Sequence, residues 1–269
     1  MPAIEFSRLR TKIELLGKVY NQPGQFLKDL QDLYFFYSDL TFHSGKSNAG
    51  NINALQTYRT PLIINRELER LLRPRALAEP EDTLKIIEVL WQTKIFEPCQ
   101  LAAGLLGSLP LVSAGAVFER IQNWSQSGEK SELLDMLHTK ATESIRRESP
   151  ELWINTLRNW VHADDPTLQK FGVLGVIPML NDPDNDNLPI IFDFLQPVIA
   201  ETDPRLVFTL LSIIEILAQK SESETVYFLK QIIKKSSNDD LPRFIRRALP
   251  SFSESAQLSL KNCLRENLA

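Results

Sequence analysis

Asp135 is the residue from which chemistry is most directly argued. It stands in Ser131-Glu132-Leu133-Leu134-Asp135-Met136-Leu137, a lone carboxylate among leucines that reads as interrupting an otherwise apolar helix face. Two readings of it stay open. It is either a structural group that caps or pairs with a base such as Lys170 or an arginine of the following repeat, or a chemical group that stabilises a developing positive charge or activates water. The basic residues form two clusters. Arg66, Arg70 and Arg73 are spaced i, i+4, i+7 along one helix face, with Arg59 upstream and Arg75 beyond, so residues 59–75 hold five arginines against two glutamates, a net +3. Arg243, Arg246 and Arg247 fall at i, i+3, i+4, preceded by Lys234 and Lys235. Guanidinium groups on successive helices can follow a polyanion backbone, and the same groups can equally be a solvated face paired with neighbours such as Glu67 and Glu69.

Other chemistries find little support. Gly45-Lys46-Ser47 matches the end of a phosphate-binding loop, but Leu40 stands where the opening glycine belongs and no apolar strand leads in. His43, His138 and His162 lie far apart, without i, i+4 partners, so solvent-facing or capping roles are expected of them. Neither Cys99 nor Cys263 belongs to a CxxC, and Cys99 sits in a largely apolar helix where an inert buried thiol is expected. No metal and no cofactor are expected. Trp91, Trp124, Trp153 and Trp160 all fall in helical segments, where packing between hairpins is the default and stacking on a base is the functional alternative.

The elements that must position these groups are helices. Glycine is scarce, at 10 of 269 residues, and apolar residues recur at three and four rather than in alternation. Ser149-Pro150, Asp165-Pro166 and Asp203-Pro204 each place a capping side chain before a first-turn proline, and Ser221 to Glu224 has capping-box spacing. Helices are predicted near 4–20, 24–41, 61–73, 81–91, 95–108, 111–124, 130–147, 150–161, 167–180, 187–200, 204–219, 222–236, 241–249 and 254–267. Pairs recur about every 35–40 residues, which predicts an all-α chain, an α-α superhelix of the HEAT or armadillo kind with about six to seven helical hairpins, with a compact irregular helical bundle as the alternative because the repeat is degenerate. A single domain over 1–269 is expected, with an N-terminal helical pair (about 1–42) joined by a loop (43–58) to the array at about 59–269. The balance of 30 Lys+Arg against 34 Asp+Glu, net −4, excludes a uniformly basic nucleic-acid coat but not a local basic groove. No basic-then-apolar leader opens the chain and no apolar run approaches the roughly 18 residues that span a bilayer, so a cytoplasmic location away from membranes is expected; the chain is also expected to be a monomer.

Tyr58-Arg59-Thr60-Pro61 before a basic helix, then Leu90-Trp91 and Phe96-Glu97-Pro98-Cys99-Gln100-Leu101-Ala102-Ala103, resemble the DNA alkylation repair family of AlkD-like HEAT-repeat glycosylases. The order continues through Trp124, Asp135, Trp160, Lys170 and the basic helix at 243–247, so the resemblance spans roughly residues 55 to 265. It implies a solenoid that grips duplex DNA on a basic surface and, in active members, removes cationic N-alkylated purines. Asp135 matches the family's catalytic aspartate, and a carboxylate there would stabilise the sugar cation as the base departs. Ser131 stands where active members carry a tryptophan four residues before that aspartate, and Ser251, beside Phe252, where they carry a second. Without those aromatic walls a cationic base loses about 0.5–2 kcal/mol of cation–π attraction per ring. Lys170 replaces the groove arginine by a point charge without its bidentate fork, and Thr167 replaces the aromatic before it.

Two functional readings follow. In the first, the chain binds duplex DNA through Arg59, Arg66, Arg70, Arg73, Lys170, Arg243, Arg246 and Arg247, and Asp135 carries the excision of alkylated bases. In the second, the chain is a catalytically silent scaffold that offers its surface to a protein or peptide partner.

Overall fold

Apolar residues at three- and four-residue spacing become helices throughout the computed structural model, which describes residues 5–38, 55–125, 130–183 and 187–268. The expected loop at 43–58 therefore enters only from residue 55, and His43 and Gly45-Lys46-Ser47 lie outside the described residues. The chain is all-α. The one β-type contact among the described residues is an isolated parallel bridge between Gln56 and Ile95. Among the described residues no single helix is long and apolar enough to cross a membrane.

Contacts cluster into two compact units, Met1–Ser149 and Pro150–Ala269, divided at the Ser149-Pro150 pair. The first holds α1 (Phe6–Lys18), α2 (Pro23–Tyr37), α3 (Leu62–Ala78), α4 (Pro80–Gln92), α5 (Phe96–Leu106), α6 (Ala114–Ser125), α7 (Ser131–Thr139) and α8 (Glu143–Glu148). Here α1 packs on α2 and α3, α2 on α4, α3 on α4 and α5, and α5 on α7. The second holds α9 (Pro150–Val161), α10 (Pro166–Leu174), α11 (Ile177–Leu180), α12 (Leu188–Glu201), α13 (Val207–Lys220), α14 (Glu222–Lys235), α15 (Leu241–Ala248) and α16 (Glu254–Leu268). Within it α9 packs on α10 and α12, α12 on α14, α13 on α14 and α15, and α14 on α16. A helix that touches its successor and the helix after that is the neighbour pattern of stacked helical hairpins, in which each pair covers the apolar face of the next.

Most predicted boundaries hold within two or three residues, and the exceptions have local causes. Helix α3 does not stop before Pro74 but runs through it, although the proline leaves the Arg70 carbonyl without its i+4 donor. Burial of Leu68, Leu72 and Ala76 on one face outweighs that loss. Asp203-Pro204 opens a turn rather than a helix: the Asp203 carboxylate accepts the Arg205 N–H (2.8 Å) and Arg205 guanidinium (2.6 Å), and α13 begins at Val207. The capping box at Ser221 is not formed, and Glu222 accepts instead from the backbone N–H (2.6 Å) and hydroxyl (2.8 Å) of Ser253. Asp165 caps as predicted, accepting from the Thr167 N–H at 2.9 Å.

Two predicted helices are each broken in two. The 167–180 helix breaks at Gly175, because Pro178 has no N–H for the Leu174 carbonyl and the Trp153 indole donates to the freed Gly175 carbonyl at 3.0 Å. The 130–147 helix breaks at Lys140 to Thr142, where the backbone passes so close to the end of α5 that a Cβ on Gly107 would lie 1.8 Å from the Lys140 carbonyl oxygen. Ser144 closes the contact by donating its hydroxyl to the Gly107 carbonyl at 2.5 Å. Gly107→Ala must push two backbone segments apart, and we expect a loss of about 2–3 kcal/mol, the upper range for overpacking. It should be read as a lower urea midpoint at unchanged m-value, and an unchanged midpoint would show that the approach relaxes without cost.

Candidate functional site

Asp135 lies on the outward face of α7. Leu133, Met136, Leu137 and His138 are buried, whereas Asp135 and its neighbours Ser131 and Glu132 are exposed. The carboxylate therefore does not interrupt the apolar face: at 100° per residue, positions 133, 136 and 137 share one side of the helix and 135 falls off it. His138, expected to face solvent or cap, points into the core instead. Among the described residues the Asp135 carboxylate has no hydrogen-bond or ion-pair partner. Partial burial, and secondarily the Glu132 carboxylate one turn back, raise its pKa above the usual aspartate value. It is a solvent-facing negative charge without a countercharge among the described residues, suited to neutralising a cation brought to it.

Two tethers fix α7. The Arg146 guanidinium donates to the carbonyls of His138 (2.5 Å) and Thr139 (3.0 Å), closing the orphan acceptors at the C-terminus of α7. Lys140, just past that end, reaches Glu69 of α3 at 2.5 Å. The helix bearing the aspartate is thereby tied to the helix bearing the first arginine cluster.

That cluster is not uniform. Arg70 is held by Glu67 through two hydrogen bonds of 2.7 and 3.2 Å, the bland alternative for such a face, and Arg10 adds a contact at 3.9 Å to the same carboxylate. Glu67 is held below the usual glutamate range by this pairing, the hydrogen bond from Arg70 being the largest cause. Glu69 serves Lys140 rather than an arginine. Arg66 and Arg73 are exposed and make no ion pair among the described residues. Arg75 lies inside α3, paired with Glu79 at 3.2 Å and over the Tyr20 ring.

Arg59 is exposed in a loop whose anchor no expectation identified. Glu97, at the start of α5, is only 4% exposed, and its carboxylate accepts from the Thr57 hydroxyl (2.6 Å) and the N–H groups of Tyr58 (2.9 Å) and Thr60 (3.2 Å). Its carbonyl accepts from the Asn65 amide at 2.9 Å, and Asn65 in turn accepts from Tyr34 at 2.5 Å. Arg59 sits within this wrap at φ 56°, the left-handed region. The signal in the sequence was the pairing of Tyr58-Arg59-Thr60-Pro61 with Phe96-Glu97-Pro98, which named the partners without their contact.

In the second unit Lys170 of α10 and Arg243, Arg246 and Arg247 of α15 are all exposed, and none makes an ion pair among the described residues. Helix α13 packs against both α10 and α15. The tryptophans are core residues: Trp91, Trp124, Trp153 and Trp160 are between 0% and 8% exposed. Trp91 stacks on Trp124 at 4.4 Å and 9°, and Trp153 meets Trp160 edge-on at 5.6 Å. None of the four presents a face to a base. Cys99 and Cys263 are buried free thiols.

Compared with known proteins, residues 63–248 match a family model described as DNA alkylation repair enzyme. Neither the curated proteins nor the solved structures yield a match. The matched range includes Asp135, Lys170, both arginine clusters and the α3–α7 tether.

Proposed function

Because the chain belongs to the DNA alkylation repair enzyme family, we propose that it binds duplex DNA through its unpaired cations and releases cationic N-alkylated bases, with Asp135 supplying the countercharge. The family match by itself carries a DNA-repair-related function. The observation that carries the finer reading is the solvent-facing Asp135 carboxylate, without a partner among the described residues, on a helix tied to the arginine helix through Lys140 and Glu69.

An N-alkylated purine is cationic, so its glycosidic bond breaks with the electron pair passing to the base nitrogen. The base leaves neutral and the sugar becomes an oxocarbenium ion, which water captures at C1′ with loss of a proton. A fixed carboxylate lowers the energy of that cation without forming a bond to it. Arg66 and Arg73 in one unit, and Lys170, Arg243, Arg246 and Arg247 in the other, have no countercharge among the described residues and are available to phosphates.

A second reading is favoured by one specific observation. All four tryptophans are buried and Ser131 and Ser251 occupy the wall positions, which suits a member that binds DNA without releasing a base. A single-turnover assay separates the two, with protein in excess over duplex containing 7-methylguanine, free base and binding scored in the same tubes. Base release supports the first reading, salt-sensitive binding without release the second, and neither turns attention to a protein or peptide partner.

Arg246→Glu with Arg247→Glu tests the phosphate contacts. Affinity should fall similarly for unrelated sequences, and the slope of log K against log salt should become shallower by about two, close to one unit per lost phosphate contact. An unchanged affinity and slope would remove α15 from the interface.

A further inference from the structure

The first turn of α13 carries Phe208, 73% exposed, a large ring that the fold leaves in water beside the basic helix α15. The Arg247 guanidinium of α15 lies 4.9 Å from the ring centroid, so the ring is held in place by a planar cation rather than by apolar packing. Arg247 also lines a cleft of about 180 Å³, whose wall includes Val207, Thr202, Asp240 and Arg243. The cleft thus carries two arginines against one carboxylate, and Arg246 follows on the same helix without an ion pair among the described residues. The Thr202 hydroxyl is committed to the Ile199 carbonyl at 2.7 Å, which leaves the arginines as the donors a ligand would meet.

We propose that Phe208 is a stacking residue for a nucleobase that has left the duplex stack, with the flanking phosphate seated by Arg243 and Arg246. One nucleotide offers what this patch lacks: a planar π-face for the ring and guanidinium, and a negative charge for the unpaired cations. Base–aromatic stacking tolerates any sequence, because every base has a face to offer. The contact with Arg247 pre-orders the ring, so little side-chain freedom is lost on binding. The proposal rests on the reading of this chain as a DNA-binding protein. It adds to that reading a contact that distinguishes unstacked from paired DNA.

The test compares two duplexes of one sequence, one fully paired and one with a single bulged 2-aminopurine, by anisotropy and by 2-aminopurine fluorescence. The wild-type protein should bind the bulged duplex about tenfold more tightly and quench its fluorescence, the scale expected for one stacked base. Phe208→Ala should erase that preference and the quenching while leaving paired-duplex affinity and its salt slope unchanged, and Phe208→Trp should restore both. A Phe208→Ala protein that keeps the preference, or that loses affinity equally for both duplexes, overturns the proposal and leaves DNA binding standing. Absence of wild-type binding to either duplex overturns the DNA-binding reading, and this proposal with it.

Discussion

Asp135→Asn is expected to abolish release of 7-methylguanine from duplex DNA while leaving DNA affinity within about twofold. The substitution keeps shape and removes only the charge, and charge is what the departing base and the sugar cation respond to. Because the carboxylate faces solvent and has no partner among the described residues, no packing or ion pair is lost with it. The pH dependence has a defined sign. The folded chain raises the Asp135 pKa, so base release should fall with acidification at a higher pH than an ordinary aspartate would dictate. A raised carboxylate pKa also means that ionisation slightly opposes folding as pH rises through it, so the melting temperature of Asp135→Asn at neutral pH should be equal to or slightly above wild type. A fall of several degrees would identify Asp135 as a structural residue. Retained base release would identify the carboxylate as a bystander.

Glu97→Ala should produce the largest loss of stability, about 3–5 kcal/mol, because it strips the acceptor from three donors at once in a buried site. The Thr57 hydroxyl and the Tyr58 and Thr60 N–H groups all converge on this carboxylate, and hydrogen bonds to a charged acceptor are the stronger kind. Glu97→Gln should fall between alanine and wild type, since the amide keeps one oxygen but turns an NH2 toward donors. Urea unfolding measures the loss, and limited proteolysis should show new cleavage between residues 55 and 61 as the loop is released. An unchanged midpoint would mean that water replaces the carboxylate without penalty. The consequence for function is indirect: Arg59 is presented by this loop in a left-handed conformation, and freeing the loop frees the cation.

The Glu97 wrap also shows where reading the chain stops. Tyr58 and Glu97 are 39 positions apart, and nothing in spacing or composition tells that a glutamate at a helix start will turn inward to collect backbone donors from a distant segment. Asp135 makes the converse case. Among leucines it read as a carboxylate forced into an apolar face, and the helix phase, set by which residues α7 buries against α5, turned it outward. The arginines of α3 were correctly placed on one helix, yet which of them a carboxylate would claim depended on geometry: Glu67 took Arg70, while Glu69 reached across to Lys140.

The sequence by itself determined the helical class, most helix boundaries and the family. These are recorded locally, in the three-and-four periodicity, in prolines at first turns and in short motifs, and local signals survive without knowledge of the fold. Only the tertiary structure decided which charges are cancelled, which carboxylate and which tryptophans are buried, that helices break at Lys140 and Gly175, and that Phe208 stays in water under Arg247. Each of those depends on the close approach of segments distant in the chain, where a few ångströms separate an ion pair from a free cation, and no spacing rule along one dimension encodes that distance.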